Sequence, residues 1–126
     1  MKLLIVDDSS VTRKVIKAVA DVLQMKTEEA QDGIEALETL SKSYKEIDLV
    51  LLDWNMPEMS GYEVLVEIKG NDKYKNIPVM MVTSEGQKSN IVSAVRAGAS
   101  NYLTKPFTVE ELETKIIECI GKEGVY

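Results

Sequence analysis

The chain has 126 residues, 44% hydrophobic and 29% charged, enough for one domain with one core, and no apolar run approaches the ~20 residues of a membrane helix. Acidic side chains outnumber basic ones 21 to 15, and the resulting charge of -6 argues against general nucleic-acid affinity, which needs a positive surface. The count of histidines is 0, which excludes an imidazole base, the usual zinc ligands, a Ser-His-Asp triad and any phosphohistidine on this chain.

Lys2 to Val6 reads as a short apolar strand ended by Asp7-Asp8, too short for a signal-peptide core. Val11, Val15, Val19, Val22 and Leu23 follow at helical spacing, with Ser9 or Ser10 as N-cap. Lys26 to Ala30 is a weak, polar strand, and Asp32 caps a short helix carrying Ile34, Leu37 and Leu40. Leu49-Val50-Leu51-Leu52, bracketed by Asp48 and Asp53, is the clearest buried strand. Ser60 with Glu63 predicts a capping box for a helix through Ile68, stopped at Gly70. Val79 to Val82 is a further buried strand, entered after Pro78 and left at Thr83, with Met80 and Met81 as packing residues. A helix from about Ser89 to Ala97 stops at Gly98, and Asn101 to Thr104 is a short strand before Lys105-Pro106. Thr108 and Glu111 predict a second capping box, for a last helix holding Val109, Leu112, Ile116 and Ile120. Cys119 on that helix is a core or boundary residue; a lone cysteine cannot close an internal disulfide, which suits a reducing cytoplasm.

Five strands alternating with five helices predict an α/β fold, a parallel sheet with helices on both faces. The polar second strand and short fifth strand suit the edges of a flavodoxin-like sheet of order 2-1-3-4-5. No repeat or linker interrupts the pattern, so residues 1–126 are expected to form one domain with no output domain. In such sheets the ligand crevice lies beyond the carboxyl ends of the strands.

Asp7, Asp8, Asp53, Thr83 and Lys105 all fall at those ends. Taken singly, each has an everyday explanation: helix cap, turn former, strand threonine, solvated lysine. Taken together at one sheet edge, they describe a site. Crowded carboxylates repel, and a hard divalent cation such as Mg²⁺ relieves them while leaving positions for phosphate oxygens. A lysine and a hydroxyl can then bind the remaining oxygens of a phosphoryl group.

Asp7-Asp8, Asp53 with Met56-Pro57, Gly61, Thr83-Ser84, Ala97-Gly98-Ala99 and Lys105-Pro106-Phe107, in that order, resemble the receiver domains of bacterial two-component response regulators. Within that family the chain is similar to the stand-alone chemotaxis regulators, through Asp53-Trp54-Asn55-Met56-Pro57, Thr83 followed by Glu85, and Tyr102. The resemblance implies that Asp53 accepts a phosphoryl group, Asp8 binds Mg²⁺ directly and Asp7 binds it through water. It implies the main-chain carbonyl of Asn55 as a further metal ligand, and Thr83 and Lys105 as ligands of phosphoryl oxygens. Tyr102 would move inward when Thr83 is engaged, Asn55 and Glu85 would tune dephosphorylation, and the Lys105-Pro106 bond would be cis. Ser60 stands where the family often has Asp; either caps the following helix.

The implied protein is not an enzyme beyond its own phosphorylation and dephosphorylation. Its implied partners are a chemotaxis histidine kinase, which supplies the histidine this chain lacks, a flagellar motor switch protein and any dedicated phosphatase. It would be a cytoplasmic monomer that engages neither nucleic acid nor membrane. Without the resemblance, Tyr102 reads as a half-buried edge aromatic. One competing reading is a relay intermediate that passes its phosphoryl group onward. Another is a Mg²⁺-dependent phosphoaspartate hydrolase, which usually carries an acid/base aspartate two residues after the nucleophile, where Asn55 stands. A metal-dependent nuclease would also use clustered acids, but the acidic balance opposes it.

Overall fold

The computed structural model describes residues 1–121, so the last stretch of the expected domain, 122–126, lies outside the described residues. Strands β1 (Lys2–Val6), β2 (Lys26–Ala30), β3 (Leu49–Leu52), β4 (Val79–Thr83) and β5 (Asn101–Thr104) alternate with helices α1 (Ser10–Val22), α2 (Gly33–Ser43), α3 (Gly61–Lys69), α4 (Lys88–Arg96) and α5 (Val109–Gly121). All neighbouring strands pair in parallel, in the order β2-β1-β3-β4-β5. Apart from Lys2 at the start of β1 and Thr83 at the end of β4, the three central strands are apolar because both of their faces are covered.

Side-chain alternation along the strands sorts the core into two layers. Leu4, Val6, Val50, Leu52, Val79 and Met81 face Ala36 and Leu40 of α2, Val64, Leu65 and Ile68 of α3, and Ala94 of α4. Leu3, Ile5, Leu49, Leu51, Met80 and Val82 face α1 and α5, meeting Ile16, Val19, Ala20, Leu112, Ile116 and Cys119. Such a two-faced sheet leaves only its edges and its ends open, and the carboxyl end collects the polar residues.

The caps form where the sequence predicts them. The Oγ of Ser9 accepts from Thr12 N at 3.2 Å, and Asp32 Oδ1 accepts from Glu35 N at 2.8 Å. Reciprocal bonds join Ser60 with Glu63 and Thr108 with Glu111. Gly98 adopts φ +111°, a left-handed stop after α4 that favours glycine.

The structure corrects the apolar faces of three helices. On α1 the buried residues are Ile16, Val19 and Ala20, whereas Val11, Val15 and Val22 are 70%, 41% and 73% exposed. Ile34 on α2 and Val109 on α5 are also exposed, each on the outward side of its helix, while Gly33 and Ala36 beside Ile34 and Leu112 beyond Val109 face the core. A single 3-10 turn at Tyr44–Glu46, unforeseen in the sequence, carries the chain from α2 to β3. Thr83 pairs with Thr104, so β4 runs one residue further than its apolar run, and α4 starts and ends one residue earlier than expected.

Candidate functional site

β1 and β3 are neighbours at the centre of the sheet, and Asp53 N donates to Val6 O at 2.9 Å, so the two chains emerge side by side. Asp7, Asp8 and Asp53 therefore meet, each offering a carboxylate oxygen within 4.8 Å of the others. Asp7 and Asp53 are buried and Asp8 is exposed, which gives the cluster one open side. Lys105 reaches in from the end of β5: its Nζ lies 2.8 Å from Asp7 Oδ2 and 3.6 Å from Asp53 Oδ2. The Lys105-Pro106 peptide is cis, as expected.

The two oxygens of Asp53 are not equivalent. Oδ2 faces the Lys105 ammonium, whereas Oδ1 is buried and accepts no hydrogen bond among the described residues. A buried, unpartnered carboxylate oxygen is costly unless a cation or a reaction partner uses it. Three carboxylates with one such orphan oxygen fit a hard divalent cation, which takes oxygen ligands and relieves the mutual repulsion. Asn55 lies two residues beyond Asp53, exposed in the β3–α3 loop.

The walls of the site are held tightly. Asp7 N donates to Ala30 O at 3.1 Å, Asp7 Oδ1 accepts from Ser9 N at 2.8 Å, and Asp7 O accepts from Arg13 Nη1 at 2.7 Å. The same guanidinium donates through Nε to Glu29 Oε1 at 3.0 Å. Arg13 and Glu29 escape a reading by sequence, since nothing in a surface-facing helix arginine marks it as reaching a loop carbonyl. The one available signal is its place on the first turns after the paired aspartates. On the far wall Gly61 N donates to Trp54 O at 2.7 Å, and Trp54 stacks on Tyr62 with ring centroids 5.2 Å apart.

Thr83 is wholly buried at the end of β4, and its Oγ1 accepts from Glu85 N at 3.2 Å. That bond uses the hydroxyl as acceptor and leaves its proton available to a ligand oxygen. The main-chain oxygen of Glu85 in turn accepts from the Tyr102 hydroxyl, so one loop residue links Thr83 to the β5 aromatic. The Glu85 carboxylate turns onto its own loop, accepting from Gln87 N at 3.2 Å. Burial, with the negative charges of Glu85 and Asp53, raises the Tyr102 phenol above its ordinary value of 10.0, so it remains a neutral donor.

The structure thus brings Asp7, Asp8, Asp53, Thr83 and Lys105 to one edge of the sheet, with Asn55 and Glu85 on the flanking loops and Tyr102 tied to the Thr83 loop.

Residues 3–117 match the response regulator receiver domain, and the chain belongs to that family. It is 41% identical to a chemotaxis protein CheY homolog of Campylobacter jejuni, over 96% of this chain and 93% of that one. It is 39% identical to the chemotaxis protein CheY1 of Helicobacter pylori, over 96% and 98% of the two chains. Among solved structures, the chemotaxis protein CheY4 of Vibrio cholerae superposes with a TM-score of 0.86 at 31% identity, covering 94% and 97%. Within the family these likenesses make the chain a chemotaxis-type response regulator, of a class of two-component signalling proteins that are generally not enzymes. Receiver domains typically bind Mg²⁺ at an acidic pocket, in keeping with the cluster of Asp7, Asp8 and Asp53.

Proposed function

We propose that this chain is a single-domain, cytoplasmic, monomeric chemotaxis regulator that takes a phosphoryl group onto Asp53 from a histidine kinase and then binds the flagellar motor switch. One observation carries the reading: among the described residues Asp53 Oδ1 is buried without a hydrogen-bond partner, beside the Lys105 ammonium and within a carboxylate cluster that fits a divalent cation, the two charges that can neutralise a phosphoryl group. A carboxylate is a weak nucleophile and needs a good leaving group, such as the imidazole of a phosphohistidine. The chain has 0 histidines, so the donor belongs to a separate kinase.

Asp53 Oδ1 forms the new oxygen–phosphorus bond as the donor's nitrogen–phosphorus bond breaks. Asp7, Asp8, Asp53 and the main-chain carbonyl of Asn55 hold Mg²⁺, which when bound supplies positive charge to the phosphoryl oxygens. Lys105, paired with Asp7 and Asp53 at rest, turns its ammonium to one phosphoryl oxygen, and Thr83 donates its hydroxyl proton to another. Water later hydrolyses the acyl phosphate, and Asn55 and Glu85 flank its approach and set the rate, with a phosphatase where the system has one.

Incubation of the chain with a small acyl phosphodonor and Mg²⁺ should add one base-labile phosphoryl group, located at Asp53 by mass spectrometry. Asp53→Asn should take up none, because an amide is not a nucleophile. Equal labelling of that variant would move the acceptor elsewhere.

A further inference from the structure

Asp8 differs from its neighbours in the cluster. Asp7 is held at its nitrogen, its carbonyl and both carboxylate oxygens, and Asp53 Oδ2 faces Lys105. Among the described residues no hydrogen bond or ion pair restrains the exposed Asp8 carboxylate, so the main chain, which sets the root of the side chain and the rotamers open to it, is what limits its reach into the cluster. Ala30 O and the Asp7 Oδ1–Ser9 N bond hold the main chain on either side, and Arg13 is the side chain that holds the Asp7–Asp8 peptide itself. Its Nη1 donates to Asp7 O at 2.7 Å, and Asp7 O shares one rigid peptide plane with Asp8 N. Its Nε is anchored on Glu29 Oε1 at 3.0 Å, so the fork spans α1, the β1–α1 loop and β2. The arginine side chain is 17% exposed, so packing as well as bonding limits its motion.

We infer that Arg13 is a positioning residue for the divalent cation: it aims Asp8 into the cluster by locking the Asp7–Asp8 peptide, and thereby sets the cation affinity. The inference rests on the acceptor reading above and extends it to a residue with no contact to the phosphoryl group. Arg13 carries the wrong sign for a cation site. By charge alone a nearby guanidinium weakens cation binding, and its removal should tighten it. By positioning, its removal should loosen binding. The two accounts therefore predict opposite signs.

Groups that orient metal ligands without touching the metal typically contribute about 10- to 100-fold to affinity. Mg²⁺ titration of the full chain, followed by calorimetry and by fluorescence of Trp54, the 1 tryptophan, measures this directly. Arg13→Met, which keeps the aliphatic stem, should bind Mg²⁺ about 10-fold more weakly at the low end of that range. Phosphorylation of that variant should recover at saturating Mg²⁺, since the acceptor and Lys105 are untouched. Arg13→Lys keeps the charge but has no planar fork to span two acceptors, and should fall between. Binding by Arg13→Met as tight as wild type, or tighter, overturns the inference and leaves the acceptor reading intact. Should the methionine variant fail to fold, wild-type affinity in Arg13→Lys overturns it in the same way. Wild-type protein that binds no Mg²⁺ at all takes down both.

Discussion

A β-carbon on Gly61 would lie 1.9 Å from the main-chain oxygen of Asp53 and 2.9 Å from Trp54 Cα. Those are backbone atoms, so no rotamer change can make room, and the first turn of α3 must move away from the acceptor loop. The glycine is demanded by close approach, since its φ is not in the left-handed region. Gly61→Ala should cost about 1–3 kcal/mol, the usual range for forced overpacking. Equilibrium urea unfolding measures it, and phosphoryl uptake at Asp53 should slow in the same variant as the loop shifts. A wild-type urea midpoint would show that α3 can slide without strain. The same scale explains why Asp7, Asp8, Asp53, Thr83 and Lys105 were legible in the sequence while Arg13 and Glu29 were not. The former stand at strand ends, where topology assigns them a common edge. The latter meet only because α1 packs back across β2, a contact that no spacing along the chain encodes.

Among the elements, the strands and caps followed from local chemistry, and α1 shows where local chemistry stops. The sequence pattern favours its five regularly spaced apolar residues, four of them valines; the sheet keeps Val19, with Leu23 at its margin, but adds Ile16 and Ala20 in place of Val11, Val15 and Val22. Ile16, Val19 and Ala20 share the buried cluster of Leu3 and Ile5, whereas three of the valines lie on the outer side. Periodicity identifies a helix but not which of two apolar stripes it buries. Substitution separates the stripes. Ile16→Ala, at a residue 1% exposed, should destabilise by about 2–5 kcal/mol, whereas Val15→Ala, 41% exposed, should stay within about 0.5 kcal/mol. Equal losses in thermal or urea unfolding would mean that α1 is rotated so that Val15 is buried as deeply as Ile16.

For the whole molecule, the question is how an event at Asp53 alters a distant surface. The bonded path runs from Thr83 Oγ1 to Glu85 N, along the Glu85 main chain to its carbonyl oxygen, and on to the Tyr102 hydroxyl, and so from the sheet's end to β5. Under the proposed function, a phosphoryl oxygen accepts the Thr83 hydroxyl proton and draws the hydroxyl toward Asp53, the Glu85 loop bonded to its oxygen follows, and Tyr102 loses its present acceptor. Signalling then needs a second surface state bound differently by the partner; without one, phosphorylation changes no affinity. Thr83→Ala deletes the first link of this path and keeps Asp53, the acidic cluster and Lys105. It should therefore still be phosphorylated, while the phosphorylation-dependent gain in binding a motor-switch peptide, typically worth ~1–3 kcal/mol, falls toward zero. Thr83→Ser keeps the hydroxyl and should restore most of the gain, which separates the switch from the loss of a buried side chain. The measurement is a titration of the peptide into each protein with and without phosphorylation. An undiminished gain in Thr83→Ala would remove Thr83 from the path and leave Tyr102 to be moved by some other contact.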